Sequence, residues 1–456
     1  MKQLFFCVSI IISICTLLSS CANIIPPSGG AKDSLPPKLV QAFPKDSSLN
    51  FSAKKIILTF NEFVEVKDAS QQVIMNPLPT NSPIVDYKLR NVTIALKDSL
   101  EYNTTYTLNF GNAIRDVNEG NVATNFYYVF STGKQISNGN ISGRIVEANT
   151  ETVDSTLIVI LHKNTHDSAV LKLKPNYISR VNAKGEFMFT NLPTDSFKIY
   201  VVPNTFTKRY DDTTAAFAFN NSTLFVNNDK QNINLNYYKL IAVTPFKAPT
   251  FKNDKKLKYS VNLDGGRYNI LDTQLVLNFE KKLIIQNKNL LQLTDSNFKK
   301  IEPQKIEIDT VLGQIKIQHN FSLGTAYNFI IDKFALQDNF GNSIFKTDTL
   351  KFFTFNEKDY GQVKIRCNNF DLDKNPVIQI VKENNIIASM PVTSKVISKN
   401  LFNTGEYSIR ILFDENKNGI WDAGNYQLKK QPEKVKAIKT KLMVKANWDN
   451  EIEINL

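Results

Sequence analysis

The stretch Tyr106-Thr107-Leu108-Asn109-Phe110, followed by Ile114, Asp116, Gly120-Asn121 and the aromatic run Phe126 to Phe130, decides the fold. Tyr106, Leu108 and Phe110 alternate with Thr107 and Asn109, a period of two that sets apolar side chains on one face of a half-buried strand. The same period runs through Phe126-Tyr128-Phe130, Phe187-Phe189, Phe197-Ile199-Val201 and Tyr407-Ile409-Ile411-Phe413. Turn formers such as Asn118-Glu119-Gly120-Asn121 and Asn191-Leu192-Pro193-Thr194 interrupt these runs at short intervals. Many short strands so punctuated predict sandwiches or barrels. No long stretch carries the 3.6-residue period of a helix.

The chain then repeats itself. Tyr327-Asn328-Phe329-Ile330-Ile331 leads through Leu336 and Asp338 to Gly341-Asn342, and an aromatic strand follows at Phe352 to Phe355. Upstream, Ile57-Leu58-Thr59-Phe60-Asn61-Glu62 finds its counterpart in Val276-Leu277-Asn278-Phe279-Glu280-Lys281. The segments behind each copy match more loosely: Asn140-Ile141-Ser142-Gly143-Arg144-Ile145 with Gly361-Gln362-Val363-Lys364-Ile365, and Asn191 to Ile199 with Leu401 to Ile409. The expectation is an all-β chain of tandem antiparallel β-sandwiches in the order A-B-A-B, each of about 100 residues. The boundaries fall at 35–134, 138–240, 245–356 and 360–456, and the four are expected to line up as a rod.

Domain A resembles the bacterial Ig-like domain of S-layer proteins, the SbsA or Big_5 type. The likeness rests on Pro36-Pro37, on the strand Ile56 to Phe60 with Asn61-Glu62 behind it, and on the Tyr106-to-Asn121 stretch closed by Phe130-Ser131-Thr132-Gly133. Domain B resembles the transthyretin-like or carboxypeptidase-regulatory Ig sandwiches through Gly185-Glu186-Phe187-Met188-Phe189-Thr190-Asn191-Leu192-Pro193. The whole layout resembles Ig-like lipoproteins of Bacteroidetes. These resemblances imply an Ig-like fold and a place in the cell envelope. They imply no catalysis, because a fold alone carries no function.

The N-terminus points the same way. Lys2 supplies a positive charge, and an apolar run from Leu4 to Leu18 follows, shorter than the roughly 20 residues a membrane-spanning helix needs. Leu18-Ser19-Ser20-Cys21 then resembles the bacterial lipobox. The resemblance implies a signal peptide of residues 1–20, cleavage between Ser20 and Cys21, diacylglycerol on the Cys21 thiol and acylation of the new amino terminus. Each buried lipid CH₂ contributes about 0.8 kcal/mol, so two or three chains anchor stably where one does not. Residues 21–34, rich in Pro, Gly and Ser, read as a flexible, extended tether. Surface-exported lipoproteins of Bacteroidetes type resemble one another in an acidic cluster behind the cysteine. Ala22-Asn23-Ile24-Ile25-Pro26 stands there instead, and this departure from the resemblance implies the periplasmic face of the outer membrane. Of Cys7, Cys15, Cys21 and Cys367, only Cys367 stays free in the processed chain, so no internal disulfide forms and real cores must stabilise it.

One loop could carry chemistry. Asp414, Asn416, Asn418 and Asp422 bear oxygen at positions 1, 3, 5 and 9 of a calcium loop, Gly419 takes the turn and the Ile420 carbonyl falls at position 7. Position 12 is Asn425 rather than a bidentate Glu, and Lys417 adds an opposing charge. The other reading is a loop of Asx turns closing a hairpin, with Trp421 over the core. Possible calcium is the only cofactor implied. His162 and His166, four apart on a strand, lie about 13 Å from each other and read as surface or hydrogen-bonded residues. Nucleophile elbows, metalloprotease helices and phosphate loops are missing from the sequence, so no catalytic residue is assigned.

The formal charge of +12 comes from lysines that are scattered, the densest run being Lys429-Lys430, Lys434, Lys436, Lys439, Lys441 and Lys445. Nucleic-acid readers cluster arginine, and export makes nucleic acid a poor partner. The run suits solvated sheet edges or long-range attraction to anionic glycan or lipid. The sequence therefore reads as a membrane-anchored, non-catalytic structural or binding lipoprotein of the envelope. Its partners are the membrane through Cys21 and an envelope protein or glycan. The alternative is a glycan-binding accessory in polysaccharide capture.

Overall fold

A computed structural model describes residues 33–240, 257–383 and 385–456. The signal peptide, Ser20, Cys21, nearly all of the tether and the expected start of the third domain at 245 lie outside the described residues. Within them the chain is β throughout. Its helices are single turns, such as Ala69–Gln72 and Ala169–Lys172.

The first sandwich pairs Leu39–Phe43, Lys55–Phe60, Asn91–Ala95 and Ile84–Lys88 in that spatial order. Against this sheet lie Ile74–Asn76, Thr105–Asn109 and Tyr127–Ser131. Thr105–Asn109 aims Tyr106 and Leu108 into a core with Phe60, Phe110, Tyr128 and Phe130, but it is not half-buried as expected: Thr105 and Thr107 are buried as well, Thr107 accepting from Asn191 of the second sandwich. The third sandwich keeps this order. Tyr259–Val261, Leu275–Phe279, Gln314–Gln318 and Lys305–Asp309 form one sheet, and Leu291–Asp295, Ala326–Ile331 and Asp348–Thr354 are consecutive in the other.

The repeated aspartate is a turn device in both copies. Asp116 accepts the backbone N–H groups of Glu119, Gly120 and Asn121 at 2.6–2.9 Å. Asp338 accepts Phe340 and Asn342 N–H at 2.9 and 2.8 Å, and it also meets the Lys281 ammonium at 2.7 Å in a fully buried ion pair. Burial would raise the Asp338 carboxyl, yet Lys281 and the surrounding donors hold it down at about 2. Glu62 holds the matching place in the first copy. Burial first, and then the charges of Asp116 and Asp33, raise its carboxyl above the usual range.

The second and fourth sandwiches share a different order. In the second, Glu186–Leu192, Gly139–Glu147 and Lys230–Asn232 face Tyr177–Arg180, Leu157–His162, Asp195–Pro203 and Ala218–Phe219. In the fourth, Val396–Phe402, Gly361–Asn368 and Asp449–Asn455 face Asn385–Pro391, Pro376–Lys382, Gly405–Phe413 and Lys434–Val444. Pairing is antiparallel except where the first strand of each meets the last, which run parallel.

The four do not line up as a rod. The outer face of the second sandwich, made by Ile158, Ile160, Tyr200, Val202, Phe217 and Phe219, is covered by Trp421, Ala423 and Tyr426 of the fourth. The Tyr426 hydroxyl lies 3.0 Å from that of Tyr200 and donates to the Asp167 carbonyl at 2.9 Å. Lys429 pairs with the Asp167 carboxylate at 2.7 Å, and Arg410 Nη1 donates to Asn149 at 2.7 and 2.9 Å. Gly424 is required here by space, since a Cβ would stand 2.4 Å from the Tyr238 ring. Sequence spacing orders the domains along the chain but does not reveal this return contact.

Candidate functional site

The loop between Gly405–Phe413 and Lys434–Val444 joins two antiparallel neighbours, so its ends are held close by a ladder of backbone hydrogen bonds. Asp414 is buried at the foot and accepts Gly419 N–H at 2.7 Å and Asn418 N–H at 3.2 Å. Asn416 Oδ1 accepts Asn418 N–H at 3.1 Å, and Asn418 Oδ1 accepts Ile420 N–H at 2.8 Å. Gly419 has a φ of +77° with nothing near its Cβ position, so glycine is there for the left-handed backbone. The amides of Asn416 and Asn418 both reach the Asp422 carboxylate, the latter at 3.2 Å. Asp414, Asn416, Asn418 and Asp422 thus lie together in the loop, the two asparagines facing Asp422 with their amide nitrogens, and Ile420 sits exposed at the tip.

Asn425, the expected position 12, is elsewhere: it closes a small turn through paired backbone hydrogen bonds with Lys430 at 2.8 and 2.9 Å. In its place stands Glu433, which the spacing rule missed. Glu433 is fully buried and accepts Glu415 N–H at 2.9 Å and Asp422 N–H at 3.0 Å. Burial raises its carboxyl, and the nearby charges of Asp422 and Asp414 raise it further. The sequence signal was a lone acid among lysines just ahead of a strand. The backbone satisfies most of these oxygens, as the Asx-turn reading requires. Among the described residues no three His, Cys, Asp or Glu side chains are disposed to hold a metal by themselves. A cation here would therefore need the Asn416 and Asn418 amide oxygens as well. Trp421 leaves the loop to pack on Val377, Leu412 and Val435, and its indole donates to the Glu433 carbonyl at 2.9 Å.

The remaining sequence candidates divide. Lys434, Lys436, Lys439 and Lys441 are exposed along an edge strand of the fourth sandwich, whereas Lys429 belongs to the contact with the second. His166 is exposed. His162 is buried with no partner at Nε2, contrary to its reading as a surface or hydrogen-bonded residue, and burial pushes its imidazole down to about 4. Cys367 is buried and free, as the cysteine count required.

With this geometry in view, the chain is a set of tandem Ig-like sandwiches, and the comparisons with known proteins accord with that class. The model of the bacterial Ig-like domain family matches residues 33–132. Among solved structures, the Bacillus anthracis TIE protein is 10% identical over 94% of this chain and 76% of its own, with a TM-score of 0.18. The Bacillus cereus major pilin subunit BcpA is 12% identical over 70% of this chain and 99% of its own, at 0.19. The N-terminal part of the bacterial S-layer protein SbsC is 15% identical over 38% of this chain and 42% of its own, at 0.17. Likenesses this slight carry no argument about activity or partners. No curated protein matches the chain. Among the described residues no helix is long and apolar enough to cross a membrane.

Proposed function

We propose that this chain is a lipid-anchored, non-catalytic structural or binding protein of the cell envelope, held on the periplasmic face of the outer membrane. The observation that carries this reading is Leu18-Ser19-Ser20-Cys21 behind an apolar run and ahead of a Pro- and Gly-rich tether. The tandem Ig-like architecture supports it, since such modules present rigid surfaces at a distance from an anchor. Cys21→Ser tests it: lipid labelling should vanish and the protein should pass to the soluble fraction. Normal processing and membrane retention of that variant would end the lipoprotein reading. A second reading attaches to the 414–422 loop, where Asp414 and Asp422 lie close to the buried Glu433: weak calcium binding there requires the Asn416 and Asn418 amides, which turn their nitrogens to Asp422, to present their oxygens instead.

A further inference from the structure

The first and second sandwiches are joined by direct hydrogen bonds. Asn76 exchanges two hydrogen bonds with the backbone of Ile178, at 2.9 and 3.0 Å. Leu78 N–H donates to the Asn176 carbonyl at 2.7 Å, and Lys174 reaches the Pro79 carbonyl at 2.7 Å. Beside this joint lies a cleft of about 670 Å³, the size of a small-ligand site and at a domain interface where such sites concentrate. Asn112, Asn125, Asn232 and Asn234 line it from both sandwiches and are exposed. Tyr127 offers a half-buried ring beside them. An amide offers a donor and an acceptor side by side, the complement of two neighbouring sugar hydroxyls. Met188 is also exposed in the lining, but the four asparagines dominate its accessible face, which suits the cleft to a polyhydroxylated ligand.

Arg180 adds charge at the floor. Its Nη2 donates to the carbonyls of Gln71 and Gln72, while Nη1 is buried with no partner. A buried cationic donor left unpaired is costly, and a carboxylate is its natural complement. Arg144 lines the same cleft. The lining carries one carboxylate, the exposed Glu186, which accepts Asn182 Nδ2 at 2.8 Å, against two arginines. We infer that this cleft binds a carboxylated glycan, with the asparagine amides on its hydroxyls and Arg180 on its carboxylate. The inference deepens the binding reading proposed above and rests on it.

Calorimetric titration of the intact protein in detergent tests it, with three probes: hexagalacturonate, its methyl ester, and hexaglutamate. The acidic sugar should bind, the ester at least about tenfold more weakly, and the peptide not at all. Arg180→Gln should erase the preference for acid over ester. Because Arg180 also braces the joint, a second variant keeps the test clean. Asn112→Asp with Asn234→Asp alters only exposed side chains and should repel the acidic sugar at least tenfold while leaving thermal unfolding unchanged. Absence of sugar binding, equal binding of acid and ester, indifference to either variant, or preference for hexaglutamate overturns the inference. Membrane retention through Cys21 is measured separately, so a failure here leaves the anchored-protein reading standing.

Discussion

His162 and Asp414 are both buried, and they differ in how their polar atoms are met. His162 lies edge-on to Tyr200 with an unpaired Nε2, so the native state favours the neutral ring. The unfolded chain takes up the proton first as pH falls. The resulting stability is full above about pH 6.5 and is lost on descent toward pH 4, up to roughly 3 kcal/mol. Urea midpoints at pH 7 and pH 4.5 should show the parent weakening by more than His162→Phe. Parallel behaviour of the two would refute the assignment. Asp414, by contrast, is enclosed by N–H donors and neighbouring oxygens. A loop with so few charges should hold calcium at about 10⁻⁴ to 10⁻³ M, the range of extracellular modules. At one hundred times the dissociation constant the native state gains about 2.7 kcal/mol, an increment that Asp414→Ala should remove. Thermal unfolding of the whole chain in excess calcium and then in chelator reads this directly. Identical midpoints would leave a metal-free Asx loop.

Among the elements, Leu157–His162 shows what the sequence disclosed and what it withheld. Thr105–Asn109, Glu186–Leu192 and Gly405–Phe413 were legible because turn residues bound a clear period of two. Leu157-Ile158-Val159-Ile160-Leu161 breaks that period, and all six residues of its strand are buried. A continuous apolar run marks a strand covered on both faces, but the second cover comes from a loop far along the chain, and periodicity is blind to it. Glu433 was hidden at shorter range: it lies 11 residues beyond Asp422, outside the loop spacing, and reaches the 414–422 loop because the hairpin folds it back. Only the loop residues close in sequence could be paired by spacing. Gly424 tests the cover. Gly424→Val should collide with Tyr238 and cost about 1–3 kcal/mol, as overpacking does. Hydrogen exchange in Leu157–His162 should quicken in that variant. Unchanged protection there would mean that Tyr426 and Trp421 do not shield the strand.

For the whole molecule, the parallel pairing of first and last strands governs how it answers a mechanical load. In the fourth sandwich seven residue pairs run in register from Gln362 beside Asp449 to Asn368 beside Asn455. In the second, Gly139–Glu147 is flanked in the same sense by Lys230–Asn232 and Leu235–Tyr237. Tension transmitted through the chain enters such a pair at one end and leaves it at the other. The hydrogen bonds are then sheared together, whereas an antiparallel hairpin pulled at its open end parts one bond at a time. Pulling the intact chain between its amino and carboxyl ends should therefore give abrupt ruptures at high force. Attaching the handle at the 186–192 strand instead should lower that force severalfold, and equal forces in the two geometries would contradict the shear account. A tether fixed to a membrane at one end and to a partner at the other would thus resist stretching where its sheets are strongest.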